Sequence, residues 1–199
     1  MKKELKKNYI RGYIEGFYGR LLEWEGRKLI IKSLSKNKMN SYLYAPKEDK
    51  SHRLHWRKPY SLAWRKKFRE FTHFSKNHNV NIIAGVAPGL DFNFKSLNCS
   101  SKSIKVNDLD LLCYKSMQLI EDGATSIALL LDDIPDNFKK NFDDNISEGT
   151  SHGLLANKLL EKLGQKIFFV PRIYADELII SHPEYLFDLS KVLNQDIDV

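Results

Sequence analysis

Five short apolar runs punctuate this chain, and each is followed by a longer segment with helical spacing. The runs cover residues 9–14, 40–45, 80–86, 126–131 and 166–170. The helical segments cover 24–37, 62–77, 106–122, 147–163 and 182–193. In the second of these, Ala63, Phe68, Phe71 and Phe74 line one side. Strand and helix alternating at intervals of about 40 residues call for a parallel sheet with helical crossovers. The runs are apolar throughout rather than on alternate positions, as expected of strands covered on both faces. Gly123 and Gly164 follow two of the helices where a C-terminal glycine belongs. Residues 196–199 read as the start of a sixth strand. Two α/β architectures satisfy this pattern, an open doubly wound sheet and a (β/α)8 TIM barrel. The GxGxxG turn of a dinucleotide-binding sheet is absent after the first run.

Composition excludes several classes of function. The chain has 199 residues, of which 42% are hydrophobic and 29% charged, so it can bury a core and is not a disordered segment. No apolar run is long enough to cross a bilayer. The N-terminal MKKELKKNYI lacks the apolar stretch of a signal peptide, so the chain is expected to begin near Met1 and to act in the cytoplasm. The two cysteines, Cys99 and Cys113, make neither a disulfide framework nor a zinc spacing. The six histidines show no ligand spacing, so neither a metal nor another cofactor is expected. His52 and His55, beside Arg53, read as surface residues. The net charge of +7 is dispersed along the chain, which fits a solvated surface better than a nucleic-acid or membrane partner.

The polar residues collect after the strands. Glu15-Gly16-Phe17-Tyr18-Gly19 follows the first run, Pro46-Lys47-Glu48-Asp49 the second and Pro88-Gly89-Leu90-Asp91 the third. Asp132-Asp133 follows the fourth, and Pro171-Arg172-Ile173-Tyr174 the fifth. In a parallel barrel these ends open on one rim, where barrel active sites are built. A lysine, several carboxylates and a tyrosine are then expected to converge there. The Asp132-Asp133 pair is the sharpest feature, since two adjacent carboxyls can divide acid and base work between them. Neighbouring residues of a straight strand point to opposite faces. The chain must therefore leave the pleat at this point if both are to reach one pocket. Helix capping or turn formation would equally suit a pair of aspartates. No GxSxG elbow or catalytic Cys/His signature accompanies them.

Five segments together resemble glycoside hydrolase family 84, the family of O-GlcNAcases and bacterial N-acetylglucosaminidases. They are IEGFYGR (14–20), NSYLYAPKED (40–49), HRLHWRKPY (52–60), GVAPGLDF (85–92) and ALLLDDI (128–134). The resemblance implies a TIM barrel and a retaining β-N-acetylglucosaminidase in which the sugar's 2-acetamido oxygen is the nucleophile. It implies that Asp132 orients the acetamido group and that Asp133 is general acid and then general base. It implies that Gly16, Lys47 and Tyr174 bind the sugar, with Tyr174 in a strand-Pro-x-x-Tyr pattern. The partner so implied is a glycan or glycoconjugate ending in N-acetylglucosamine. Leu21-Leu22 and Arg172-Ile173 depart from the family's usual residues.

The pattern reaches only the sixth strand, whereas an eight-stranded barrel typically takes about 250 residues. Residues 1–199 are thus expected to form an incomplete barrel domain without its C-terminal strands, either a fragment or a truncated homologue. Such a domain should be weakly stable alone, prone to association through open strand edges, and poorly active. A carbohydrate-binding remnant without turnover is the alternative function.

Overall fold

The computed structural model of the chain describes residues 9–98, 106–135, 142 and 145–199. Cys99 lies outside them, and Cys113 is a buried free thiol. Five parallel strands form one sheet: β1 (Gly12–Glu15), β2 (Ser41–Tyr44), β3 (Asn81–Val86), β4 (Ser126–Leu130) and β5 (Ile167–Val170). Their spatial order is their chain order. A doubly wound sheet must reverse direction at a switch point, whereas a barrel adds each strand to the same edge. The sequential order therefore decides for an α/β barrel, incomplete in these residues. The sixth strand has begun: Asp198 bridges Phe168 in parallel, with Phe169 N–H donating to the Asp198 carbonyl at 2.8 Å.

Strand parity divides the apolar residues between two layers. Tyr42, Tyr44, Ile82, Ala84, Val86, Ile127, Leu129, Ile167 and Phe169 point outward into the large core beneath the helices. Ala45, Ile83, Ala87, Ala128 and Leu130 point inward with Leu43, Phe168 and Val170 and fill the barrel side. This accounts for the unbroken apolar runs, because both faces of these strands are covered. β1 differs, as its inward Ile14 is 65% exposed. A cavity of about 280 Å³ opens there, lined among others by Ile14, Leu43, Ile83, Ala128 and Phe168.

The helices are α1 (Trp24–Lys36), α2 (Leu62–Asn77), α3 (Asp108–Glu121), α4 (Glu148–Leu163), α5 (Asp176–Ser181) and α6 (Tyr185–Val192). Side-chain caps set three of their starts. Ser61 accepts from Trp64 N–H, Asn107 from Asp110 N–H and Ser147 from Thr150 N–H, each satisfying an amide the helix itself cannot. Gly164 ends α4 in the left-handed conformation, φ +63°. Where α4 crosses α6, a Cβ on Gly149 would lie 2.2 Å from the Tyr185 carbonyl oxygen. Only glycine permits that approach.

Two boundaries and one short helix depart from the sequence pattern. The first strand begins at Gly12 rather than residue 9, and Tyr9 and Ile10 are exposed. Asn40 takes over the ladder there: its side chain donates to the Tyr9 carbonyl and accepts from Arg11 N–H. The last helix begins at Tyr185 rather than 182, since a residue before proline is pushed out of the helical region and His182 precedes Pro183. The short α5 had no apolar period long enough to announce it.

Two histidines are wholly buried, His52 and His152. For His52 this corrects the surface reading. Its loop folds back over the sheet, where its Nδ1 meets the Gly85 carbonyl oxygen at 2.9 Å and its own carbonyl accepts from Ala87 N–H. His152 Nδ1 lies 2.7 Å from the Tyr185 hydroxyl. Burial pushes His52 down to about 4, and burial followed by the Arg172 guanidinium pushes His152 down to about 3. Above pH 6.5 both rings are neutral whether folded or unfolded. As pH falls through 6.5 the unfolded chain takes up protons that the folded chain refuses, so stability drops toward pH 4. Urea midpoints should fall between pH 7 and 5 by the equivalent of about 2 kcal/mol per histidine. His152→Gln should remove roughly half of that slope, and a pH-independent midpoint in the wild type would contradict the assignment.

Candidate active site

The C-terminal ends of the strands carry the site. Along β4, Ala128 and Leu130 point into the barrel, so Asp132 continues the inward set. Asp133 should then point outward, but its φ is +57°, in the left-handed region. That single turn takes it out of the pleat and keeps it beside Asp132. Lys47 continues the inward set of β2 in the same way. Its ammonium lies 2.5 Å from Asp132 Oδ2 and 3.2 Å from Asp133 Oδ2. The side chain of Lys47 is 3% exposed, that of Asp132 18% and that of Asp133 32%. One cation thus serves two carboxylates and offsets their repulsion where solvent screening is weak. Asp132 Oδ1 is buried and has no hydrogen-bond partner among the described residues. A buried acceptor left open at a barrel mouth suits a ligand N–H.

The other expected site residues fare differently. Gly16 leaves the end of β1 with almost nothing in front of it. A Cβ there would meet only the Ile14 Cγ2, at 3.1 Å. Tyr174 stands beyond β5, 57% exposed and without a hydrogen bond among the described residues. The structure therefore brings Lys47, Asp132 and Asp133 into contact, while Gly16 and Tyr174 share their rim without touching them.

The expected convergence of several further carboxylates does not occur. Glu15 is outward by strand parity and fully buried. It accepts two bonds from Arg27, at 2.9 and 2.8 Å, and one from Tyr42 at 2.6 Å. Asp49 accepts from the Tyr44 hydroxyl at 2.7 Å and from Ser51 N–H at 2.9 Å. Asp91 accepts from Trp56 Nε1 at 2.7 Å and pairs with Arg57. These three carboxylates hold the scaffold together and bond to none of Lys47, Asp132 and Asp133. Of the residues at the unusual Arg172-Ile173 position, Arg172 pairs with Glu148 of α4 and Ile173 is fully buried.

Two residues that sequence reasoning passed over do touch the site. The Tyr18 hydroxyl donates to Asp133 Oδ2 at 3.1 Å. Arg53 donates through Nη2 to the Asp133 carbonyl at 2.7 Å and through Nη1 to the Tyr18 hydroxyl oxygen at 3.1 Å. Tyr18 lay within the glycine turn after the first strand, a hint of sorts. Arg53 stood within the HRLHWRKPY segment, but its partner Asp133 lies 80 positions away.

The loop that carries Lys47 and Arg53 is anchored from below. Lys115 of α3, 1% exposed, donates to the carbonyls of Ser51 at 2.5 Å and Lys58 at 2.7 Å. Its ammonium also lies 4.1 Å from the Tyr60 ring centroid. Trp56 stacks on Phe92 at 5.8 Å, and Arg57 reaches Asp108 through two bonds of 2.7 Å. Among the described residues, no group of three or more His, Cys, Asp or Glu side chains could hold a metal ion. No helix among them is long and apolar enough to cross a membrane.

A family model described as beta-N-acetylglucosaminidase matches residues 11–199. The chain belongs to the beta-N-acetylglucosaminidase family, glycoside hydrolase family 84. The chain is similar to the protein O-GlcNAcases of rat and mouse, each 34% identical over 131 residues, or 66% of this chain. The chain spans 13% of the length of either. Among solved structures, a variant of the Thermobaculum terrenum O-GlcNAc hydrolase superposes with a TM-score of 0.80 at 28% identity, covering 96% of this chain and 40% of that one. The strand ends described above are thus those of a family 84 fold.

Removing the ammonium should expose the repulsion it offsets. Lys47→Met is expected to destabilise the chain by about 3 kcal/mol, as when one partner of a buried pair is deleted. The loss should be clearly smaller in an Asp132→Asn background. A double-mutant cycle from urea melts measures this, and strict additivity would mean that the pair is not coupled.

Proposed function

We propose that this chain carries the catalytic carboxylates of a β-N-acetylglucosaminidase acting on terminal β-linked N-acetylglucosamine. The observation that carries the reading is the buried, unpartnered Asp132 Oδ1 beside a lysine-bridged carboxylate pair, in a chain of this family. Asp132 Oδ2 is engaged by Lys47, so Oδ1 is the oxygen left to accept the acetamido N–H. Holding that N–H turns the acetamido oxygen toward the anomeric carbon and raises its electron density.

The reaction then runs in two balanced steps. The acetamido oxygen attacks the anomeric carbon while the glycosidic bond breaks toward the leaving oxygen. Asp133 gives its proton to that oxygen. In the second step Asp133, now ionised, takes a proton from water as the water oxygen attacks the same carbon. The oxazolinium ring, its N–H still held by Asp132, opens and the β configuration is retained. No enzyme carboxylate becomes glycosylated, unlike the common retaining pair.

Lys47 has two tasks in this scheme. It offsets the charge of the carboxylates in the free site, and it offers its remaining N–H donors to sugar hydroxyls. Gly16 admits the sugar close to the backbone. Tyr174, whose hydroxyl is uncommitted, hydrogen-bonds at the acetamido group.

Hydrolysis of a chromogenic N-acetylglucosaminide by the purified protein tests the reading. Asp133→Asn should lower kcat by about 10²–10⁴-fold, the usual contribution of general acid–base catalysis. Absence of turnover in the wild type, or full turnover in Asp133→Asn, would overturn it. Gly16→Ala should raise KM several-fold while leaving the melting midpoint almost unchanged, because the added methyl meets only the exposed and adjustable Ile14.

A further inference from the structure

Asp133 holds a backbone conformation that L-residues other than glycine rarely adopt, with φ at +57°. Relaxation of that residue toward the strand region would send its carboxyl to the opposite face from Asp132. Something must hold it, and glycine's conformational freedom is not available here. The residues touching Asp133 give the answer. Arg53 grips the Asp133 carbonyl oxygen with Nη2 at 2.7 Å. Its Nη1 donates to the Tyr18 hydroxyl oxygen at 3.1 Å, and that hydroxyl donates in turn to Asp133 Oδ2 at 3.1 Å. The guanidinium carbon also lies 5.9 Å from the Tyr18 ring centroid. One planar fork therefore fixes both ends of the same residue, its main chain directly and its carboxyl through Tyr18.

The origin of the fork is itself fixed. The neighbouring His52 is fully buried, bonded through Nδ1 to the Gly85 carbonyl and through its own carbonyl to Ala87 N–H. Lys115 holds the carbonyl of Ser51 just before it. Arg53 reaches Asp133 from a loop bonded on both sides.

We propose that Arg53 is the positioning residue for the acid–base carboxyl, acting with Tyr18 as a two-point clamp that holds Asp133 out of the strand and orients its two oxygens. This rests on the glycosidase reading above. The clamp makes the oxygens unequal. Oδ2 accepts from Tyr18 and faces the Lys47 ammonium at 3.2 Å, so it is the oxygen held as an acceptor. Oδ1 is then the oxygen that carries the transferable proton. It loses that proton to the leaving oxygen as the glycosidic bond breaks, and it regains one from the attacking water. The Arg53 bond to the hydroxyl oxygen polarises the Tyr18 O–H and strengthens its donation to Oδ2.

The test combines two readouts on the purified protein. The first is the ¹³Cα and ¹³Cβ chemical shifts of Asp133, which report its backbone conformation without any need for turnover. The second is kcat/KM for an alkyl N-acetylglucosaminide, which needs a proton on its leaving oxygen, against a dinitrophenyl one, which needs little help. Arg53→Met should move the Asp133 shifts away from left-handed values. It should cut kcat/KM by at least about tenfold for the alkyl glycoside, the order at which general-acid help is lost, and by much less for the dinitrophenyl one. Arg53→Lys, which offers no planar fork, should recover only part of the alkyl rate. Tyr18→Phe removes one hydroxyl from an exposed ring and should reproduce the leaving-group discrimination if Arg53→Met does not fold. Unmoved Asp133 shifts, or equal losses on both glycosides, would overturn the clamp. Shifts that move in a protein whose wild type turns over neither glycoside would uphold the clamp and overturn the glycosidase reading.

Discussion

Two ionised carboxylates side by side at the end of a strand repel one another, and Lys47 is the cation that offsets this. Its placement depends on three separate pieces of chain. β2 must deliver Lys47 on its inward parity. β4 must deliver Asp132 on the same parity. The chain after β4 must then turn left-handed so that Asp133 stays on the pocket side. Loss of any one of these would leave a charge in a weakly screened place without its counterion, which is among the costlier errors a fold can contain. The barrel order of the strands is what brings β2 and β4 to opposite sides of β3 with the same rim facing out.

The long connection between β2 and α2 gives the site its rigidity. It contains almost no regular structure, yet several of its polar groups are engaged. Asp49 gathers Tyr44, Tyr60 and the Ser51 amide. Lys115 collects two of its carbonyls from beneath, and Trp56 locks it to the chain after β3. Burial pushes the Lys115 ammonium down to about 8, a sign of how far it has been taken from water to serve this loop. Carboxylates that a one-dimensional reading would assign to chemistry are here spent on architecture. Glu15, Asp49 and Asp91 each neutralise or organise a neighbour, and that leaves Asp132 and Asp133 as the pair that shares Lys47.

The helices show a similar economy of polar groups. Ser61, Asn107 and Ser147 each satisfy one backbone amide at a helix start. His152 and Tyr185 form the polar seam between α4 and the start of α6. The Tyr185 hydroxyl also accepts from Arg172 N–H, which ties the connection after β5 to the same seam.

Periodicity along the chain was enough to place all five strands and the five longer helices to within a few residues. Unbroken apolar runs gave the two-faced burial of β2, β3 and β4, which have a neighbour layer on both sides, whereas the inward side of β1 lies open. The motifs after the strands marked Asp132, Asp133 and Lys47 as one site, since a parallel sheet sends all such ends to one rim. Four things needed the fold. Strand order chose the barrel over the doubly wound sheet, because both share the same local pattern and differ only in which edge each strand joins. His52 turned out to be core rather than surface, since its burial comes from a loop folding over β3. Glu15, Asp49 and Asp91 left the site because pairing partners far along the chain captured them. Arg53 and Tyr18 entered it for the same reason: a side chain's partner across 80 or 115 residues is set by packing, and no spacing in the sequence encodes it.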